Sequence, residues 1–382
     1  MPDLSASPKL QRSWWWDEET QEGRRGWRRA DAWWLRAKVP LCLSAVLVCF
    51  LLFGGAVGTH RDVRQYVGTA MDKVVGGHSS PSSPRANGTI VILVDPGSNM
   101  YRDLLFTLQN IEHRFNKRLG YPIQLLTDGN FPSEAIMNRT DYITGGKAKW
   151  SLITYDQGWG PPPAITEEDL AESWKKIGFS LGYRNMCRFF SKFHWKHPAL
   201  QPYEWIWRLD DGINFHCDLQ EDPFMTMIEN KKTYGYSILE WEQNFVIPTL
   251  WNSTLDFLAQ NEDKHYVPED SGIDFISSDG GKTYNHRIYY NNFEIVHRSF
   301  LESEAYTSYV DHLDRAGGFY KERWGDAPIR TIGVSLFLPK TATYDFSPVT
   351  GYSHDYPSFT CPDKPYCDCN PARSNNNGAG NY

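Results

Sequence analysis

Apolar residues along this chain fall into three regimes: one unbroken run, a stretch without period, and a long region with alternating helix and strand spacing. The unbroken run, residues 39–58 (VPLCLSAVLVCFLLFGGAVG), carries no charge, and its length matches the roughly 20-residue helix that crosses a bilayer core. Arg24, Arg25, Arg28, Arg29, Arg36 and Lys38 precede it. A positive excess stays cytosolic, so the larger C-terminal part is expected to face a lumen. A cleaved signal peptide is the rival reading, but a long hydrophilic leader comes before the apolar run, which favours an anchor. Residues 59–88 hold Gly-Gly, Ser-Ser and Ser-Pro clusters with little apolar period, the pattern of a flexible stem.

From Thr89 the pattern is that of a folded domain. Thr89 to Val94 (TIVILV) is a β-branched apolar run suited to a buried parallel strand. Leu104, Leu108, Ile111, Phe115 and Leu119 then recur at three- and four-residue spacing, one face of an amphipathic helix. A second short strand is expected from Pro122 to Leu126, ending in Thr127-Asp128. This β-α-β opening predicts a Rossmann-like α/β sheet with ligand sites at the carboxyl ends of its strands. Gln157 to Pro163 breaks regular structure, Thr166 and the acids after it open a helix, and Trp205 to Leu209 (WIWRL) reads as a buried strand that ends on Asp210-Asp211-Gly212. The expected organisation is a cytosolic tail (1–38), an anchor (39–58), a stem (59–88), one catalytic domain (89–371) and a disordered polar tail (372–382).

A net charge of −7 with scattered Lys and Arg argues against a nucleic-acid partner, since such proteins concentrate positive charge. A small or carbohydrate ligand fits better. Three N-glycosylation triplets, at Asn87, Asn138 and Asn252, agree with a luminal domain. Beyond the span lie Cys187, Cys217, Cys361, Cys367 and Cys369. That odd number in an oxidising compartment leaves at least one unpaired or intermolecular, and Cys367-Asp368-Cys369 reads as a terminal disulfide clasp rather than half a zinc site.

Asp210 and Asp211 sit where a strand runs into a glycine turn. Hard carboxylate oxygens there suit Mg²⁺ or Mn²⁺ bridging the diphosphate of a nucleotide sugar. Alone the pair is a weak signal, because Asp-Asp-Gly is also an ordinary turn. The surrounding sequence adds the weight: Tyr183-Arg184-Asn185-Met186-Cys187-Arg188-Phe189, Trp207-Arg208-Leu209-Asp210, Phe215-His216-Cys217-Asp218, Ile247-Pro248-Thr249-Leu250-Trp251, Asn292-Phe293-Glu294-Ile295, Glu322-Arg323-Trp324-Gly325-Asp326-Ala327-Pro328 and Gly351-Tyr352-Ser353-His354 follow in order. In these stretches, spread over roughly 89–371, the chain resembles the fungal Golgi α-1,2-mannosyltransferase family, glycosyltransferase family 15.

The resemblance implies a GT-A fold behind a single transmembrane helix, in a single-pass type II protein of the Golgi membrane. It further implies GDP-mannose as donor, Mn²⁺ as cofactor, a mannose-containing N- or O-glycan or mannan as acceptor, and transfer with retention of configuration. Asp210, where the family usually carries Glu, and His354 match the family's metal ligands. Glu294 matches its candidate nucleophile, and Tyr183 a tyrosine near the reaction centre; a carboxylate below the anomeric carbon serves either a covalent intermediate or same-face attack. Arg184, Arg188 and Arg208 are candidates for the diphosphate, and Asp326 for donor or acceptor hydroxyls. The chain departs from the family at Asp211 in place of Pro, at Arg287-Ile288-Tyr289-Tyr290-Asn291-Asn292 in place of Cys-His-Phe-Trp-Ser-Asn, and at Asp95-Pro96-Gly97 after the first strand. These changes keep open a transferase with another nucleotide sugar or linkage; a second alternative, a non-catalytic glycan-binding protein on the same fold, is opposed by the retention of Glu294, His354, Tyr183 and the Gly-Asp-Ala-Pro stretch.

Overall fold

The structure is a computed structural model that describes residues 85–94, 100–354 and 359–374. The expected tail, anchor, most of the stem and the distal polar tail lie outside the described residues, as does Asp95-Pro96-Gly97. Among the described residues no helix is long and apolar enough to cross a membrane.

Strands β1 (Gly88–Leu93), β2 (Ile123–Asp128), β3 (Ala148–Ile153), β4 (Trp205–Leu209), β5 (Asn214–Phe215), β6 (Tyr234–Tyr236), β7 (Leu239–Trp241), β8 (Arg287–Tyr289), β9 (Phe293–His297), β10 (Thr343–Asp345) and β11 (Tyr352–Ser353) form three sheets. The main one has seven strands in the order β10-β6-β9-β4-β1-β2-β3. Pairing from β4 through β1 and β2 to β3 is parallel, as the β-α-β reading expected, whereas β9 runs antiparallel to both β4 and β6. The strand at Trp205–Leu209 falls where the apolar run placed it, and β1 starts one residue earlier than expected.

Period-two alternation divides the sheet's side chains between two cores. Ile90, Ile92, Trp207 and Ile295 face a cluster completed by helix α1 (Met100–Ile111). Val91, Ile206 and Val296 face another, built from α2 (Leu181–Lys192), α3 (Glu304–Ala316) and α4 (Asp326–Phe337). The result is an α/β sheet covered on both faces. The helix read from Leu104 to Leu119 is interrupted: after Ile111 the chain makes a π turn, Glu112–Asn116, before a final α turn. There Asn116 is buried and clamps Tyr121, giving its amide to the carbonyl and accepting from the backbone N–H, which fixes the lead into β2.

Two disulfides tie down the segment after β11. Cys217 bonds Cys367 and Cys361 bonds Cys369, so the neighbouring cysteines 367 and 369 take different partners instead of closing on each other. Cys187 stays a buried free thiol on α2, and burial pushes it well above its ordinary range.

Candidate active site

Alternation along β4 explains the site's floor. Trp205, Trp207 and Leu209 point into the α1 core, so Arg208 and, past the strand end, Asp210 emerge on the opposite face beneath α2 and α4. Arg208 is fully enclosed: its Nε donates to Asp210 Oδ1 (3.1 Å), its Nη1 to Asp326 Oδ2, and its guanidinium lies 3.8 Å from the Phe190 ring centroid. Burial alone would depress this guanidinium, but the two carboxylates outweigh it and hold the charge firmly. Asp326, the first residue of α4, also accepts from Asn291 Nδ2 (2.8 Å). One cation therefore joins the end of β4 to the start of α4.

The turn after β4 needs Gly212, which adopts φ +79°, and its N–H donates to Thr107 on α1 at 2.9 Å. The chain then enters β5, which pairs antiparallel with β11 through Phe215–Tyr352 and Asn214–Ser353. That pairing delivers His354 beside the turn: a Cβ on Gly212 would lie 3.9 Å from the imidazole Nε2. Asn292, just before β9, places its amide 2.8 Å from His354 Nδ1, and the Tyr352 hydroxyl donates to the Asn292 carbonyl.

These groups line an open cleft of about 350 Å³ together with Tyr183, Met186, Glu242 and Arg323, a size usual for small-molecule sites. Arg323 Nη2 donates to the Tyr183 hydroxyl (2.9 Å) and Nη1 to Glu242 (3.3 Å). Burial raises the Tyr183 phenol well above its usual value, so it is a neutral hydrogen-bonding group at physiological pH. Phe179, at the mouth, adopts φ +67°, a left-handed conformation that costs a side-chain-bearing residue about 1–2 kcal/mol.

Of the residues singled out in the sequence, Tyr183, Arg208, Asp210, Asp326 and His354 converge on this cleft. Three do not. Arg184 donates to the carbonyls of Gly178, Phe319 and Tyr320, and burial lowers it to about 10. Arg188 forms a two-pronged pair with Asp314 and bonds the carbonyls of Gly158 and Gly160. Both lie on the same helix as Tyr183, but their side chains brace neighbouring loops, and that geometry keeps them off the cleft. Glu294, opposite Arg208 in the β4–β9 ladder, is enclosed: its Oε2 accepts from Arg330 Nε (3.0 Å) and from the Tyr234 hydroxyl (3.1 Å). Its carboxyl is pushed above the ordinary range by burial, against the pull of Arg330. Arg323, Glu242 and Asn291 were given no role in the sequence reading; Arg323 could have been found, because it falls inside the Glu-Arg-Trp-Gly-Asp stretch.

Residues 61–379 match the family described as glycolipid 2-alpha-mannosyltransferase. The chain belongs to that family. This mannosyltransferase-family chain is 39% identical over 304 residues to glycolipid 2-alpha-mannosyltransferase 2 of Candida albicans, covering 76% of its own length and 64% of that protein's. It is 36% identical to alpha-1,2 mannosyltransferase KTR1 of Saccharomyces cerevisiae, covering 76% of each. Among solved structures, the mannosyltransferase Ktr4p of S. cerevisiae in complex with GDP superposes with a TM-score of 0.71 at 32% identity, over 77% of this chain and 78% of that one. Core-mannan synthase A of Aspergillus fumigatus, in an Mn/GDP form, gives 0.70 at 32%, over 77% and 81%. The fold is thus the α/β mixed-sheet glycosyltransferase fold.

Whether this family member suits a divalent ion can be tested on its own atoms. Among the described residues no three His, Cys, Asp or Glu groups cluster as a metal cage. Asp210 and His354 would instead be the two protein groups that hold the ion, one a hard oxygen and one an imidazole nitrogen. Asp210 supplies one hard carboxylate, with Oδ1 engaged by Arg208. The second clue is Asn292 Oδ1, buried with no hydrogen-bond partner among the described residues. With that amide rotated, Oδ1 accepts a hydrogen bond from the Nδ1–H of His354, the tautomer that leaves Nε2 with the lone pair a metal takes. The residues fit the ion.

Proposed function

We propose that this chain is a retaining α-1,2-mannosyltransferase that moves mannose from GDP-mannose to a mannose hydroxyl on a glycan acceptor, on a GT-A-type domain held in the Golgi lumen by an N-terminal anchor. The observation that carries the reading is the convergence of Tyr183, Arg208, Asp210, Asp326 and His354, drawn from distant parts of the chain, on one cleft at the carboxyl end of β4 in a member of a mannosyltransferase family.

Asp210 and His354 would hold Mn²⁺, which when bound offsets charge on the leaving diphosphate. Arg208 pairs with both Asp210 and Asp326 and holds the two carboxylates in place at the cleft, so that Asp326 accepts hydrogen bonds from sugar hydroxyls while Tyr183 donates one. In the transfer, the bond from the anomeric carbon to the diphosphate oxygen breaks, the acceptor oxygen bonds the same face of that carbon, and the acceptor proton passes to the departing diphosphate. Same-face attack is favoured over a covalent intermediate because Glu294 points at Arg330 behind the cleft. Luminal placement draws support from the basic segment before residues 39–58 and from two disulfides, which persist in oxidising compartments.

The test is GDP release by the detergent-solubilised full chain given GDP-mannose and α-methyl mannoside, with Mn²⁺ or with EDTA, for the wild type and His354→Ala. Metal-dependent turnover to an α-1,2-linked disaccharide, lost in His354→Ala, is the expected result. Turnover with a different nucleotide sugar, or full activity in His354→Ala, would overturn the donor or the ligand assignment respectively.

A further inference from the structure

Phe179 and Trp241 border the cleft, and the transfer chemistry uses neither. They are 40% and 48% exposed. A single exposed apolar residue needs no explanation, but two features set this pair apart. Phe179 is held on a left-handed backbone that glycine would adopt without strain, with its ring centroid 5.1 Å from that of Tyr183. Each ring also has a guanidinium against it, Arg323 at 4.1 Å from the Phe179 centroid and Arg287 at 5.7 Å from that of Trp241. Arg323 further bonds Glu242, the neighbour of Trp241 in sequence. The two aromatics thus belong to one braced frame that also presents Glu240, Glu242 and Gln243 to the cleft.

Flat aromatic faces beside carboxylate and amide groups match the two surfaces of a pyranose, whose C–H face is apolar and whose edge carries hydroxyls.

We propose that Phe179 and Trp241 form an outer acceptor subsite that holds the sugar next to the one being extended, so that the preferred acceptor is an α-linked mannoside of at least two residues. The proposal rests on the reading of the cleft as a glycosyl-transfer site, and binding separates the two. Dissociation constants of α-methyl mannoside and of an α-linked methyl mannobioside are measured on the full chain by ligand-observed NMR, with kcat/KM for each acceptor in parallel. The wild type should bind the mannobioside about tenfold more tightly than the mannoside, a ratio suited to one stacked ring face. In Trp241→Ala and in Phe179→Gly the ratio should fall toward one, chiefly through KM. Phe179→Gly removes the backbone strain, so its melting temperature should not drop, which separates loss of the platform from loss of the fold. Equal affinity for the two acceptors in the wild type, or a variant that weakens both by the same factor, would overturn the subsite. Mannobioside preference without any turnover from GDP-mannose would uphold the subsite and sink the functional reading alone.

Discussion

Replacing Glu294 by Gln separates two roles that its position in the sequence cannot. Its side chain and that of Arg330 are each 1% exposed, with Oε2 and Nε 3.0 Å apart and the Tyr234 hydroxyl also on Oε2. Glutamine keeps the volume and can still accept one hydrogen bond, but it leaves the Arg330 charge uncompensated in the core. Removing one partner of such a buried pair costs about 3–5 kcal/mol. For a domain of this size, at about 2–4 °C per kcal/mol, the melting temperature should fall by at least about 6 °C. Pairing Glu294→Gln with Arg330→Met removes the orphaned charge and should recover a good part of the loss, as a double-mutant cycle would register. Thermal and urea unfolding of the single and double variants, with GDP release normalised to folded protein, is the assay. A Glu294→Gln enzyme that melts within about 2 °C of wild type yet turns over no donor would refute the reasoning and restore Glu294 as a group acting on the anomeric carbon.

Loss of Cys217–Cys367, whose cysteines are 150 residues apart, should destabilise the fold by about 5 kcal/mol on chain-entropy grounds, against about 2.5 kcal/mol for Cys361–Cys369, 8 residues apart. Urea unfolding of Cys367→Ser and Cys369→Ser compares them, and equal losses would count against that account. Stability should also fall on acidification: burial lowers His194 well below 6.5, and lowers His197 and His297 as well. A depressed imidazole contributes stability above the ordinary value near 6.5, and that contribution is lost as pH falls through the folded-state value, at up to about 1.4 kcal/mol per pH unit per group. Melting temperatures from pH 7.5 to 5 should decline, less steeply in His194→Gln; a flat profile would contradict the assignment.

The strands and the first helix could be read because burial imposes period two or 3.6 on apolar residues, and β1, β2 and β4 declare themselves within a residue or two. The antiparallel entry of β9 could not be read, since Phe293–His297 is as apolar as a parallel strand and direction is a property of the connection. At the site, Asp210, Asp326 and His354 were visible through motif position. The fates of Arg184 and Arg188 were not, because their spacing along α2 says nothing of whether the nearest oxygens belong to a ligand or to the loops at Gly158 and Gly178. Phe179 left no trace in the pattern at all: its meaning lies in a backbone angle and an exposed ring.

The short ladder between β5 and β11 has a consequence for the protein's birth. Asp210 emerges from the ribosome well before His354, and the Cys217 thiol waits for Cys367 across 150 intervening residues. The sheet can settle around β1, β2 and β4 early, as domains do during synthesis, while the His354 side of the cleft stays open until β11, the strand just before that residue, has docked on β5 and the disulfide has closed. The cleft is therefore completed late in synthesis, its last wall arriving only once β11 has paired with β5.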